Sequence, residues 1–104
     1  QIVCLRQQAE KLICALLGVP IEQARQPRFR RRYYQVEPLT IWLLLQTDCT
    51  ISQLVFMFDL DETVIQGWLR SLTSQHPESF LNKLKLSWQE DLHIKNTSPL
   101  SQLG

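Results

Sequence analysis

The stretch from Thr50 to Leu72, TISQLVFMFDLDETVIQGWLRSL, restricts the fold more than any other part of this 104-residue chain. Thr50 is followed three residues later by Gln53, the spacing at which the two side chains reciprocally satisfy orphan backbone N–H groups at a helix start. It predicts a helix beginning at Ile51, with Ile51, Leu54, Val55 and Phe58 on one face and Ser52, Gln53, Phe56 and Met57 on the other. Asp59–Leu60–Asp61 reads as a turn, with Leu60 pointing inward and the Asp61 carboxylate capping the next helix. From Glu62 to Leu72 a second apolar stripe, Ile65, Trp68, Leu69 and Leu72, leaves Glu62, Thr63, Gln66, Gly67 and Arg70 outside.

The flanking segments supply what these stripes must pack against. In Ile2–Leu17 the residues Ile2, Leu5, Ala9, Leu12, Ile13 and Leu16 recur at helical steps, opposite Arg6, Gln7, Glu10 and Lys11. This predicts an amphipathic helix ended by Gly18, which takes the left-handed conformation readily, and not resumed because of Pro20. Ile21–Arg25 fits a short helix with Pro20 at its start. Residues 38–47 run apolar almost all round, through Leu39, Ile41, Trp42, Leu43, Leu44 and Leu45, as expected of a central helix buried on most sides.

Residues 77–95 admit two readings. Pro77 in a first turn, with Phe80, Leu81, Leu84 and Trp88 at helical spacing, predicts a fourth major helix. Alternation of Leu84, Leu86 and Trp88, then Leu92 and Ile94, predicts instead a two-stranded β-wing over residues 84–95. A hairpin turn at Gln89–Asp91 lacks Gly or Asn, so the helix is preferred. Residues 96–104 read as a polar, flexible tail after one domain spanning 1–95.

At the level of pattern, residues 50–72 resemble the helix-turn-helix superfamily: Leu54, Phe58, Leu60, Ile65 and Leu69 fall at its apolar positions, and 38–47 stands as the supporting helix. The expected fold class is therefore mainly α, a helical domain built on that unit with an N-terminal amphipathic helix. The resemblance also implies that the second helix approaches the major groove of DNA through Thr63, Gln66 and Arg70. The chain departs from the pattern in three places. Val55 stands where a small residue is usual, Asp59 where glycine is usual, and Asp61 and Glu62 put acid at the start of the second helix.

Charge is divided along the chain although the total is only +1. Residues 1–36 hold seven cations against two carboxylates, +5, while residues 37–75 hold one cation, Arg70, against five carboxylates, −4. The cations are densest in QPRFRRRYY, where Arg28, Arg30, Arg31 and Arg32, with Arg25 just before, are interleaved with Phe29, Tyr33 and Tyr34. Guanidinium groups pair bidentately with phosphate and aromatic planes stack on bases, so the segment is a candidate nucleic-acid strip. A solvated loop with its aromatics packed inward accounts for it equally well.

Other chemistry is poorly represented. Cys4, Cys14 and Cys49 are odd in number and lack C-x-x-C spacing, which argues against a disulfide framework and for a reducing, cytoplasmic or nuclear setting. His76 and His93 stand in no recognisable triad or metal-ligand spacing, and Gly18, Gly67 and Gly104 form no phosphate loop. No enzymatic role, cofactor or metal is expected. No apolar run reaches the ~18 residues of a membrane span, and the chain, which opens on Gln1, reads as a piece of a longer protein. Two functions follow as expectations. One is a DNA-binding regulatory domain, with RNA as a further ligand class; the other is a protein-interaction or dimerisation module using Phe56 and Met57.

Overall fold

The computed structural model describes residues 2–24, 26 and 34–96. In chain order they form α1 (Ile2–Leu17), α2 (Ile21–Ala24), α3 (Val36–Leu44), α4 (Ile51–Phe58), α5 (Glu62–Gln75) and α6 (Glu78–Asn96). Among the described residues there is no strand, so the fold is mainly α. The β-wing over 84–95 is overturned: a single 19-residue helix runs through it. The helical stripe Leu81, Leu84 and Trp88 is buried, whereas Leu86, which a wing would pair with Leu84 and Trp88, is 63% exposed. Helical periodicity prevails here because three large side chains on one face reach a common core, whereas alternation would set Leu86 beside Leu84 and Trp88 and turn Leu81 away.

Helix ends follow local chemistry. Gly18 ends α1 at φ 71°, and the Val19 N–H returns to the Cys14 carbonyl at 2.9 Å, the six-to-one bond of a Schellman closure. The central helix is shifted from its expected 38–47 to Val36–Leu44. Pro38 sits at its third position, where a missing N–H costs nothing. Beyond Leu44 the chain tightens into a turn, Thr47 N–H bonding the Leu44 carbonyl at 3.1 Å and Thr47 Oγ1 donating to the same oxygen at 2.6 Å. Asn96, assigned by sequence to the tail, ends α6; residues 97–104 lie outside the described residues.

α3 is the hub. It packs against α1 and α5, while α1 also packs on α6 and α2 and α4 packs on α5. Leu39, Ile41, Leu43 and Leu44 are all fully buried, each contributing roughly 1.5–3 kcal/mol of gross hydrophobic stabilisation. They point to two sides. Leu39 and Leu43 join Ala9, Ile13, Leu72, Leu84 and Trp88 in one cluster, and Ile41 and Leu44 join Cys49, Leu54 and Ile65 in the other. Leu5 and Leu69 touch both clusters. A helix apolar on every side is therefore accounted for by a core on every side. The one polar side chain deep within it, Thr40, is satisfied by donating to the Val36 carbonyl at 2.8 Å.

Candidate nucleic-acid interface

α4 is closed by local chemistry at both ends, the second of which leads into α5. Thr50 has extended backbone; its Oγ1 accepts from the Gln53 N–H at 3.2 Å, and its N–H donates to Gln53 Oε1 at 2.8 Å. At the other end Asp59 takes the left-handed conformation, φ 55°, and the Leu60 N–H bonds the Val55 carbonyl at 3.3 Å. The turn therefore has the backbone that glycine usually supplies, reached by aspartate, one of the few other residues that tolerates it. Leu60 is half-buried against the second cluster, as expected.

Asp61 departs from expectation. Its backbone carbonyl accepts from Val64 and Ile65 at 3.1 and 3.2 Å, but its carboxylate makes no capping bond. Its charge beside the helix N-terminus still interacts favourably with the dipole, and the side chain is left in solvent. α5 also outlasts its expected end at Leu72, continuing to Gln75.

The outer surface of α5 carries the residues singled out by sequence. Thr63 and Arg70 are exposed, and with Gly67 between them they follow one stripe at four- and three-residue steps. Gln66 is less free than expected: it is half-buried, and its Nε2 donates to Glu62 Oε2 at 2.9 Å. Gly67 has an ordinary helical backbone, and a Cβ built on it meets nothing within 4 Å. Nothing inside the described residues requires a glycine there, although glycine costs a helix interior about 1 kcal/mol relative to alanine. Arg25, Arg28, Arg30, Arg31 and Arg32 lie outside the described residues, so their placement relative to α5 is not part of this geometry.

Phe56 and Met57, adjacent on the outer face of α4, differ in burial. Met57 is half-buried on the second cluster, whereas Phe56 is 90% exposed. The reason is where α1 makes its contact. Leu5 reaches the second cluster, and Arg6 lies over the Phe58 ring at 4.1 Å while donating to the Met57 carbonyl at 3.4 Å and to Glu10 Oε2 at 3.4 Å. The helix thus seats on residues 57–58 and passes Phe56 by. Sequence reasoning placed Arg6 only on a polar face; its four-residue spacing from Glu10 was the available signal, and nothing in sequence pointed to the Phe58 ring.

His76 was likewise undistinguished in sequence. It is buried at the α5–α6 junction, stacked on Phe80 with centroids 5.4 Å apart, and its Nε2 has no hydrogen-bond partner. Burial holds its pKa below the usual 6.5. Cys14 and Cys49 are buried and Cys4 is exposed. Among the described residues no group of three or more His, Cys, Asp or Glu is arranged to hold a metal ion, and no helix is long and apolar enough to cross a membrane. Comparison with known proteins finds no family model, no curated protein and no solved structure that matches this chain.

Proposed function

We propose that this chain is a DNA-binding regulatory domain of helix-turn-helix type. In this reading α5 lies in the major groove with Thr63, Gln66 and Arg70 toward the bases, and Arg25, Arg28, Arg30, Arg31 and Arg32 hold phosphates. The observation that carries it is the open Thr63–Gly67–Arg70 stripe. Among the described residues Thr63 and Arg70 are exposed along one helical stripe, with a half-buried glycine at its centre that no contact among those residues requires. A glycine there lets a groove wall approach the helix backbone closely. The basic N-terminal third of the sequence supplies the attraction that this face lacks.

The test is a titration of the chain against duplex DNA, single-stranded DNA and RNA at several salt concentrations. Duplex binding is expected with a steep salt dependence. Replacing Arg28, Arg30, Arg31 and Arg32 by Ala should flatten the log–log slope by about 3.6 if each neutralises one phosphate. Arg70→Ala should weaken binding and relax sequence preference. An affinity that is unchanged and salt-insensitive in the fourfold variant refutes the reading, and preference for RNA transfers it to that ligand. A second reading, a protein-interaction module with no nucleic-acid ligand, is favoured by the exposure of Phe56.

A further inference from the structure

Among the described residues the large apolar side chain with the greatest exposure, Phe56, lies on the outer face of α4. Phe56 is 90% exposed, while α1 is committed to Phe58 and the Met57 carbonyl next to it. An exposed aromatic ring offers about 150–250 Å² of contact surface, the kind of rigid anchor on which association energy concentrates. Within two turns of chain it is followed by Asp59, Asp61 and Glu62, all exposed. The Asp61 carboxylate is not used for capping. Asp59 occupies a left-handed position where glycine would avoid a cost of about 1 kcal/mol or more.

The charges decide what can cover this face. An exposed ring followed closely in the chain by three exposed carboxylates favours a cationic partner. The chain carries one itself: residues 1–36 have a net charge of +5 against −4 for residues 37–75. We propose that Phe56 on the outer face of α4, together with Asp59, Asp61 and Glu62 of the turn and the start of α5, docks the basic N-terminal third of a second copy of this chain. The contact joins unlike surfaces, so a two-fold pair makes it twice and a one-sided pair leaves one copy of each surface open. One aromatic anchor with a charged surround belongs to the small, weak class of interfaces, so association is transient and salt-sensitive. This inference does not depend on the nucleic-acid reading. If both hold, DNA and the second copy compete for the same cations.

Sedimentation velocity of the chain from low micromolar to near-millimolar concentration, at low and high salt and without nucleic acid, tests it. Self-association that high salt reverses is expected. Phe56→Ser, and separately the pair Asp61→Asn with Glu62→Gln, should each weaken it about tenfold. These side chains are exposed, and circular dichroism should confirm that the variants fold. The decisive arm is a mixture. A variant lacking the acidic face and one with Arg28, Arg30, Arg31 and Arg32 replaced by Ala should each self-associate poorly, yet bind each other through the one intact pairing. A wild-type chain that stays monomeric throughout, association untouched by Phe56→Ser, or a mixture that fails to associate overturns the proposal.

Discussion

Gly67→Ala should make this protein more stable. Gly67 lies inside α5 with helical backbone, and beyond that helix's own backbone the added methyl group meets nothing within 4 Å among the described residues. No steric term therefore offsets the helix-propensity gain of roughly 0.8–1.0 kcal/mol. For a domain of this size that corresponds to a rise in Tm of about 4–8 °C. The matched control is Gly18→Ala. There too a Cβ meets nothing, but the backbone is left-handed at φ 71°. The cost of about 1–2 kcal/mol for an L-residue in that region exceeds the 0.4–1 kcal/mol gained from a stiffer unfolded chain, so this variant should lose roughly 1 kcal/mol. Urea and thermal unfolding followed by far-ultraviolet circular dichroism measure both. Destabilisation by Gly67→Ala would refute the reasoning, since it would require a contact or a backbone distortion that the structure lacks. The same variant bears on function. If the Thr63–Gly67–Arg70 stripe meets a nucleic acid at close range, the stabilised protein should bind more weakly, and equal affinity would remove Gly67 from the interface.

Arg6→Ala should cost about 1 kcal/mol by equilibrium unfolding, summing a cation–π contact with Phe58 and a partly exposed ion pair with Glu10; Arg6→Gln matching wild type would show that the charge contributes nothing. His76 makes stability pH-dependent. Its folded pKa is depressed by burial from 6.5, so below that value the unfolded chain takes up the proton more readily than the folded one. Stability is full above 6.5 and falls as pH drops through 6.5 toward the folded value. Tm measured at about pH 7.5 and about pH 5.5 should drop more for wild type than for His76→Leu. Equal drops would show that the carboxylates alone account for acid sensitivity.

Much of the fold was legible because its signals are local. Thr50 and Gln53 sit within one turn, so their reciprocal bonds follow from spacing alone, and Gly18 marked the end of α1 for the same reason. The stripes of α1, α4, α5 and α6 were readable from periodicity, since one face of each meets a core. The boundaries of α3 were less legible. A helix buried all round carries no phase, and α3 runs from Val36 to Leu44 where residues 38–47 were expected. The candidate site was readable in composition and not in arrangement. Thr63 and Arg70 are where periodicity put them, but the tie from Gln66 to Glu62 and the unused carboxylate of Asp61 depend on side-chain choices among several possible partners.

What the sequence determined by itself, then, is which segments are helices and which face each buries, because hydrogen bonding along a helix and the spacing of apolar side chains are properties of a short stretch. Tertiary structure decided which helix meets which, and hence what stays open. α1 could have settled over Phe56 or over Phe58, both aromatic and both on α4. It chose Phe58 because Leu5 reaches the cluster around Leu54 and Ile65 while Arg6 one residue on finds both a ring and a carbonyl. Burial is shared between elements distant in sequence: periodicity put Phe56 and Met57 together on the outer face of α4, and only packing left Phe56 in solvent while half-burying Met57, just as Trp88 and Leu84, packed with Leu39 and Ile13, removed the alternative over residues 84–95.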